Sequence, residues 1–137
     1  MRSPKTNNPH QRTRNDHAKE TAEDYVEAIA AILAEKETCR SSDLAKQFGV
    51  SHVTVHHIIN RLQGDGLLTT KPYQPIQLTV KGKRLAQRSR ERHELVYQFL
   101  LSIGVAPNVA AKDAEGIEHH VSPETLRQFR RMIERLG

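Results

Sequence analysis

Ser42-Asp43-Leu44-Ala45-Lys46-Gln47-Phe48-Gly49-Val50-Ser51, followed by Thr54-Val55, decides the fold of this chain. A small Ala45 lets two helices cross closely, Gly49 relaxes the turn between them, and valine plugs their angle. Ser41 or Ser42 is the expected cap of the first helix, which carries Leu44, Ala45 and Phe48. Ser51 caps the second, in which Val55, Ile58, Ile59 and Leu62 form one apolar face. Gly64 and Gly66 end it. A helix-turn-helix pair sets its second helix in the major groove of DNA, with the N-terminal residues towards the base edges. A helical hairpin with no nucleic-acid role is the alternative reading of the same residues.

Downstream, Leu67-Leu68-Thr69-Thr70 and Ile76-Gln77-Leu78-Thr79 flank the turn Lys71-Pro72-Tyr73-Gln74-Pro75. Two short strands around a proline-rich turn predict a β-hairpin wing. The module is therefore a winged helix-turn-helix. Its candidate DNA contacts are Ser51, His52, Thr54, His56, His57 and Arg61 on the reading helix and Lys71 in the wing. Upstream, Thr21 is a fair N-cap, and Tyr25, Ile29, Ile32 and Leu33 recur at helical spacing through Glu35. Residues 1–20 hold no Leu, Ile, Val or aromatic side chain. They read as a flexible basic arm whose Arg2, Lys5, Arg12 and Arg14 could touch phosphates.

From Thr79 to Ile103 the chain reads as helix, basic in its first half and apolar in its second (Leu95, Val96, Phe99, Leu100, Leu101). That shift puts a domain boundary near residues 88 to 92, giving a DNA-binding domain over 21–88 and a helical domain over 89–137. Gly104 closes the helix, Pro107 opens the next, and Ser122 with Pro123 starts a last one. The last helix carries an apolar stripe of Phe129, Met132, Ile133 and Leu136. So many apolar faces in one short segment predict a homodimer. The fold class is mainly α.

Two clusters carry metal chemistry. Helical neighbours lie three and four residues apart, so Glu115, Glu118 and His119 are expected on one line of surface, and Asp24 and Glu27 on another. Carboxylates gathered this way repel one another unless a cation sits among them. Oxygen-rich ligation with imidazole suits Mn²⁺ or Fe²⁺. The net charge of +5 fits an anionic partner. No apolar run is long enough to span a bilayer and no signal peptide opens the chain. The single Cys39 cannot form an internal disulfide, so a cytoplasmic protein is expected.

Asp24-Tyr25-Val26-Glu27, the winged helix, Arg92-His93-Glu94-Leu95 and Asp113-Ala114-Glu115-Gly116-Ile117-Glu118-His119-His120 together resemble the manganese transport regulators of the diphtheria-toxin-repressor superfamily. The resemblance covers residues 21–137. It implies metal ligation by Asp24, Glu27, His93, Glu115, Glu118 and His119, and two Mn²⁺ ions per subunit. It further implies a repressor that binds a palindromic operator on double-stranded DNA when loaded with Mn²⁺. The iron-responsive branch typically has methionine where Asp24 stands and cysteine where Glu118 stands; two oxygens in their place favour the harder Mn²⁺. The chain ends before the SH3-like domain that the iron branch often carries. His56 and His57 depart from the family, which is expected to place a small residue and a lysine there. His120, about 100° round the helix from His119, reads as non-ligating. A binuclear hydrolase is the rival class. Against it, the six residues are all used as ligands, which leaves no general base, so the chain reads as no enzyme.

Overall fold

The computed structural model describes residues 9–137. In chain order the elements are α1 (Pro9–Lys36), α2 (Ser41–Phe48), α3 (His52–Gly64), β1 (Leu68–Thr69), β2 (Gln77–Leu78), α4 (Val80–Ser102), α5 (Pro107–Ile117) and α6 (Pro123–Leu136). They divide into two compact units that meet between Leu85 and Ala86, within α4.

In the N-terminal unit, α1 buries Tyr25, Val26, Ala28 and Ile29. It begins at Pro9 and not at Thr21, so Thr21 is an interior residue and residues 9–20 are helix where a flexible arm was expected. Proline suits the first helical position, where its missing N–H has no helical partner to lose. Arg2 and Lys5 of the expected arm lie outside the described residues. Helix α2 starts at Ser41, with Arg40 at its N-cap. Neither serine caps it: the Asp43 carboxylate accepts the Arg40 N–H at 2.9 Å, and Lys36 donates to the same carboxylate at 2.8 Å. Gly49 then turns the chain through the left-handed region at φ 65°. Ser51 caps α3 as expected, its Oγ accepting the Thr54 N–H at 3.1 Å.

Leu44 of α2 and Val55, Ile59 and Leu62 of α3 are buried together with Leu67, Leu68 and Ile76 of the wing. Full burial of each large aliphatic side chain contributes about 1.5–3 kcal/mol. Tyr25 stacks on Phe48 with centroids 4.4 Å apart, fastening α1 to α2. The strands pair antiparallel, Leu68 opposite Leu78 and Thr69 opposite Gln77. So short a ladder needs side-chain support. Gln63 Oε1 accepts the Thr70 N–H at 2.8 Å, and Thr79 Oγ1 donates to the Gly66 carbonyl at 2.6 Å. Cys39, wholly buried, offers its carbonyl to the Ile76 N–H at 2.8 Å.

In the C-terminal unit, Val96 of α4 and Ala110 and Ala114 of α5 are buried. Phe99 stacks on Phe129 of α6 at 4.0 Å. Ser122 caps α6 through the Thr125 N–H at 3.2 Å. No residue of α6 is buried in the single chain, and its Met132 and Leu136 are exposed.

Candidate metal centre and DNA-reading face

Helix α4 presents Ser89, Arg92, His93 and Val96 at helical spacing, and the end of α5 faces this row. The last turn of α5 supplies Glu115, but the helix stops at Ile117. Glu118, its C-cap, still has helical backbone angles (φ −58°, ψ −28°) and so keeps the line from Glu115, and His119 lies just past it. The Glu118 N–H still reaches the Ala114 carbonyl at 3.1 Å, whereas the N–H groups of His119 and His120 bond three residues back, to Gly116 and Ile117. The backbone thus tightens only beyond Glu118, and Glu118 itself is 1% exposed.

A buried carboxylate is unfavourable unless its oxygens are partnered. Ser89 Oγ donates to Glu118 Oε2 at 3.3 Å. Glu118 Oε1 lies 3.2 Å from His93 Nδ1. Glu115 Oε1 lies 3.6 Å from the same nitrogen. Arg92 Nε donates to the Glu118 backbone carbonyl at 3.2 Å, fixing the turn itself. His93, Glu115 and Glu118 thus each bring one ligand atom within 4.8 Å of the others. Two carboxylates and one imidazole, with no thiol among them, form an oxygen–nitrogen donor set that a hard-to-borderline divalent cation fits. The half-buried imidazole and the mostly exposed Glu115 leave a side of the set open to solvent.

His119 is also buried, its Nε2 4.0 Å from Glu118 Oε1. Asp24 and Glu27 stand three residues apart on α1, both partly exposed, in the other unit. Ser89 was not among the candidates: an isolated serine gives no sequence signal. Its one clue is its place one helical turn before His93.

In the N-terminal unit, His52, Thr54, His56, His57 and Arg61 are all exposed on α3, away from Val55, Ile59 and Leu62. The Ser51 hydroxyl is engaged in the cap and donates to Thr54 Oγ1 at 3.0 Å, so these two side chains brace the helix start. Lys71 is exposed in the wing turn. Two apolar side chains beyond the candidates are also exposed in this unit. Val53 is 66% exposed at the head of α3, and Tyr73 is fully exposed at the wing tip with φ 63°. A non-glycine residue in the left-handed region is uncommon.

Two family models match the chain in succession. One is described as the N-terminal DNA binding domain of an iron dependent repressor, over residues 17–76. The other is described as the metal binding and dimerisation domain of an iron dependent repressor, over residues 79–137. The transcriptional regulator MntR of Escherichia coli O6:H1 is 45% identical over 124 residues, covering 90% of this chain and 80% of that protein. The HTH-type transcriptional regulator MntR of Lysinibacillus sphaericus is 37% identical, covering 82% of this chain and 81% of that protein. Among solved structures, a manganese-dependent transcriptional repressor in complex with manganese superposes with a TM-score of 0.74 at 27% identity. That alignment takes in 82% of this chain, which spans about half the length of the solved protein. With both domains matched in order and a relative at 45% identity, the chain belongs to the iron-dependent repressor family, beside the manganese regulators that its motifs resemble.

Proposed function

We propose that this chain is a manganese-responsive DNA-binding transcriptional repressor that acts as a homodimer. The observation that carries the reading is the set of His93, Glu115 and Glu118, an oxygen–nitrogen donor group with a buried carboxylate and no sulfur. Mn²⁺ or Fe²⁺ suits such donors, and the carboxylate at Glu118, where a thiolate would favour softer ions, speaks for Mn²⁺. The full ligand set of this reading is Asp24, Glu27, His93, Glu115, Glu118 and His119, holding two ions per subunit. When bound, the cation supplies positive charge that offsets the clustered carboxylates. This chain's own residues do the rest: Ser89 orients Glu118 and Arg92 fixes its backbone.

The DNA-facing part is α3 with the wing. His52, Thr54, His56, His57 and Arg61 face the groove and Lys71 the backbone, with Ser51 fixing the helix start. Two such helices in a dimer read a palindromic operator, because protein two-fold symmetry is mirrored in the site. The exposed apolar side chains of α6 support the dimer. Among the described residues no helix is long and apolar enough to cross a membrane. A cytoplasmic site of action follows from the proposed DNA target.

The test is binding to DNA from a manganese-transporter promoter, measured in chelator and in excess Mn²⁺. At least a tenfold rise in affinity with Mn²⁺ is expected, about 1.4 kcal/mol of coupling. Equal affinity in both conditions refutes metal response, and stronger activation by Fe²⁺ assigns the chain to an iron-responsive role instead.

A further inference from the structure

Beside its buried stripe, α3 carries two exposed ones. His52, His56 and Asn60 recur every fourth residue, as do Val53, His57 and Arg61, and all six side chains are exposed. Residues four apart on a helix stand one turn above each other, with their Cβ atoms about 5–6 Å apart. An i, i+4 pair of histidines at this spacing can bring one nitrogen from each ring to a common point outside the helix, as the two histidines of the zinc motif His-Glu-x-x-His do. No hydrogen bond or ion pair of the described residues engages His52 or His56. Their ring nitrogens are therefore accessible without breaking anything.

We propose that His52 and His56 form a bidentate site for borderline divalent metals, Ni²⁺, Cu²⁺ or Zn²⁺, on the exposed face of α3. Two imidazoles with open positions and no carboxylate select such ions. Mn²⁺, at the weak end of the divalent series, gains least from them. The oxygen-rich group at His93, Glu115 and Glu118 discriminates less against Mn²⁺ than two imidazoles do. The consequence of the paired site rests on the proposed DNA-reading role of α3. The nitrogens that take the metal are the ones that reach base edges, so metal and operator exclude each other. A borderline ion here counteracts Mn²⁺ with no communication between the two sites.

His57 supplies the internal control, since it lies about 100° round the helix from His56 and cannot share a metal with His52 in the same way. The full chain, held in saturating Mn²⁺, is titrated with Ni²⁺ by calorimetry and is also retained on Ni²⁺–iminodiacetate resin, whose caged ion reaches surface imidazoles only. Removing one arm of a chelate turns an intramolecular second contact into none. His52→Ala and His56→Ala should therefore each weaken Ni²⁺ binding about tenfold or more and elute at lower imidazole, whereas His57→Ala behaves as the parent. Equal loss in all three variants, or loss in none, overturns the paired site.

The antagonism is read on a labelled duplex selected from random sequence by the Mn²⁺-loaded chain. Ni²⁺ should release the parent from it, and an unmoved affinity with the Ni²⁺ site filled overturns the exclusion. If no duplex is selected while the Ni²⁺ pattern holds, the DNA-reading role fails and the metal site stands.

Discussion

Gly82, in the first turn of α4, offers the sharpest test of how the wing is seated. A Cβ added there would lie 2.0 Å from the Leu67 carbonyl oxygen and 3.2 Å from Leu78 Cδ2. The first distance falls short of ordinary contact by about 1.4 Å. The obstructing atom is backbone, and it already accepts the Thr79 N–H at 3.1 Å. Neither strand base can swing aside as a side chain could. Within a helix Gly→Ala normally gains about 1 kcal/mol. Here the overlap costs about 1–3 kcal/mol, and about 1 kcal/mol more is lost with the displaced hydrogen bond. Gly82→Ala should therefore destabilise the N-terminal unit by about 2 kcal/mol, lowering its Tm by roughly 8–16 °C. Gly64→Ala is the matched control, because nothing lies within 4 Å of its added Cβ. It should stabilise by about 0.5 kcal/mol. Thermal unfolding followed by circular dichroism in chelator decides the matter. A Gly82→Ala chain as stable as the parent would refute the close approach of Leu67 to α4.

Burial pushes the Cys39 thiol up to about 11. Its unfolded counterpart titrates near 9, so the stability held by the protonated thiol, about 3 kcal/mol, is full below pH 9 and lost progressively towards pH 11. Urea melts across that range check this, and a Cys39→Ser chain should show a flatter profile. Ser89→Ala, which removes the hydroxyl donating to Glu118 Oε2, should weaken Mn²⁺ binding about tenfold with helicity intact, as read by electron paramagnetic resonance of free Mn²⁺. Unaltered binding would show that the hydroxyl does not position the carboxylate. Ser51→Ala should cost about 1 kcal/mol through the α3 cap alone. A change confined to DNA affinity, with the melt unmoved, would mean the hydroxyl serves DNA and not the cap.

The centre of the fold was legible because it is built from short-range rules. Ala45, Gly49 and Ser51 act within one turn of themselves, and the caps at Ser51 and Ser122 follow from side chains bonding three residues on. The start of α1 was not legible, because residues 9–20 are polar and their helix leaves no apolar period to read. Arg40 was missed as a cap since it is the Asp43 carboxylate, reaching back, that marks the boundary. At the candidate site, helical spacing brought Glu115 and Glu118 to the same nitrogen of His93. The guanidinium that bonds the Glu118 carbonyl belongs to Arg92, 26 residues away in sequence. Nothing local announces such a contact.

The buried thiol has one more consequence, in oxidative chemistry. Peroxide attacks the thiolate, and attack needs access. Cys39 is 0% exposed and remains protonated at neutral pH, so its sulfur is closed to sulfenic acid formation while the N-terminal unit is folded. Among the described residues the other sulfur is Met132, 37% exposed on the apolar stripe of α6. Among the described residues, oxidative damage to sulfur is thereby directed to α6, where a sulfoxide would put a polar group into the face proposed to join two subunits, and away from the α1–α2 connection that braces the wing.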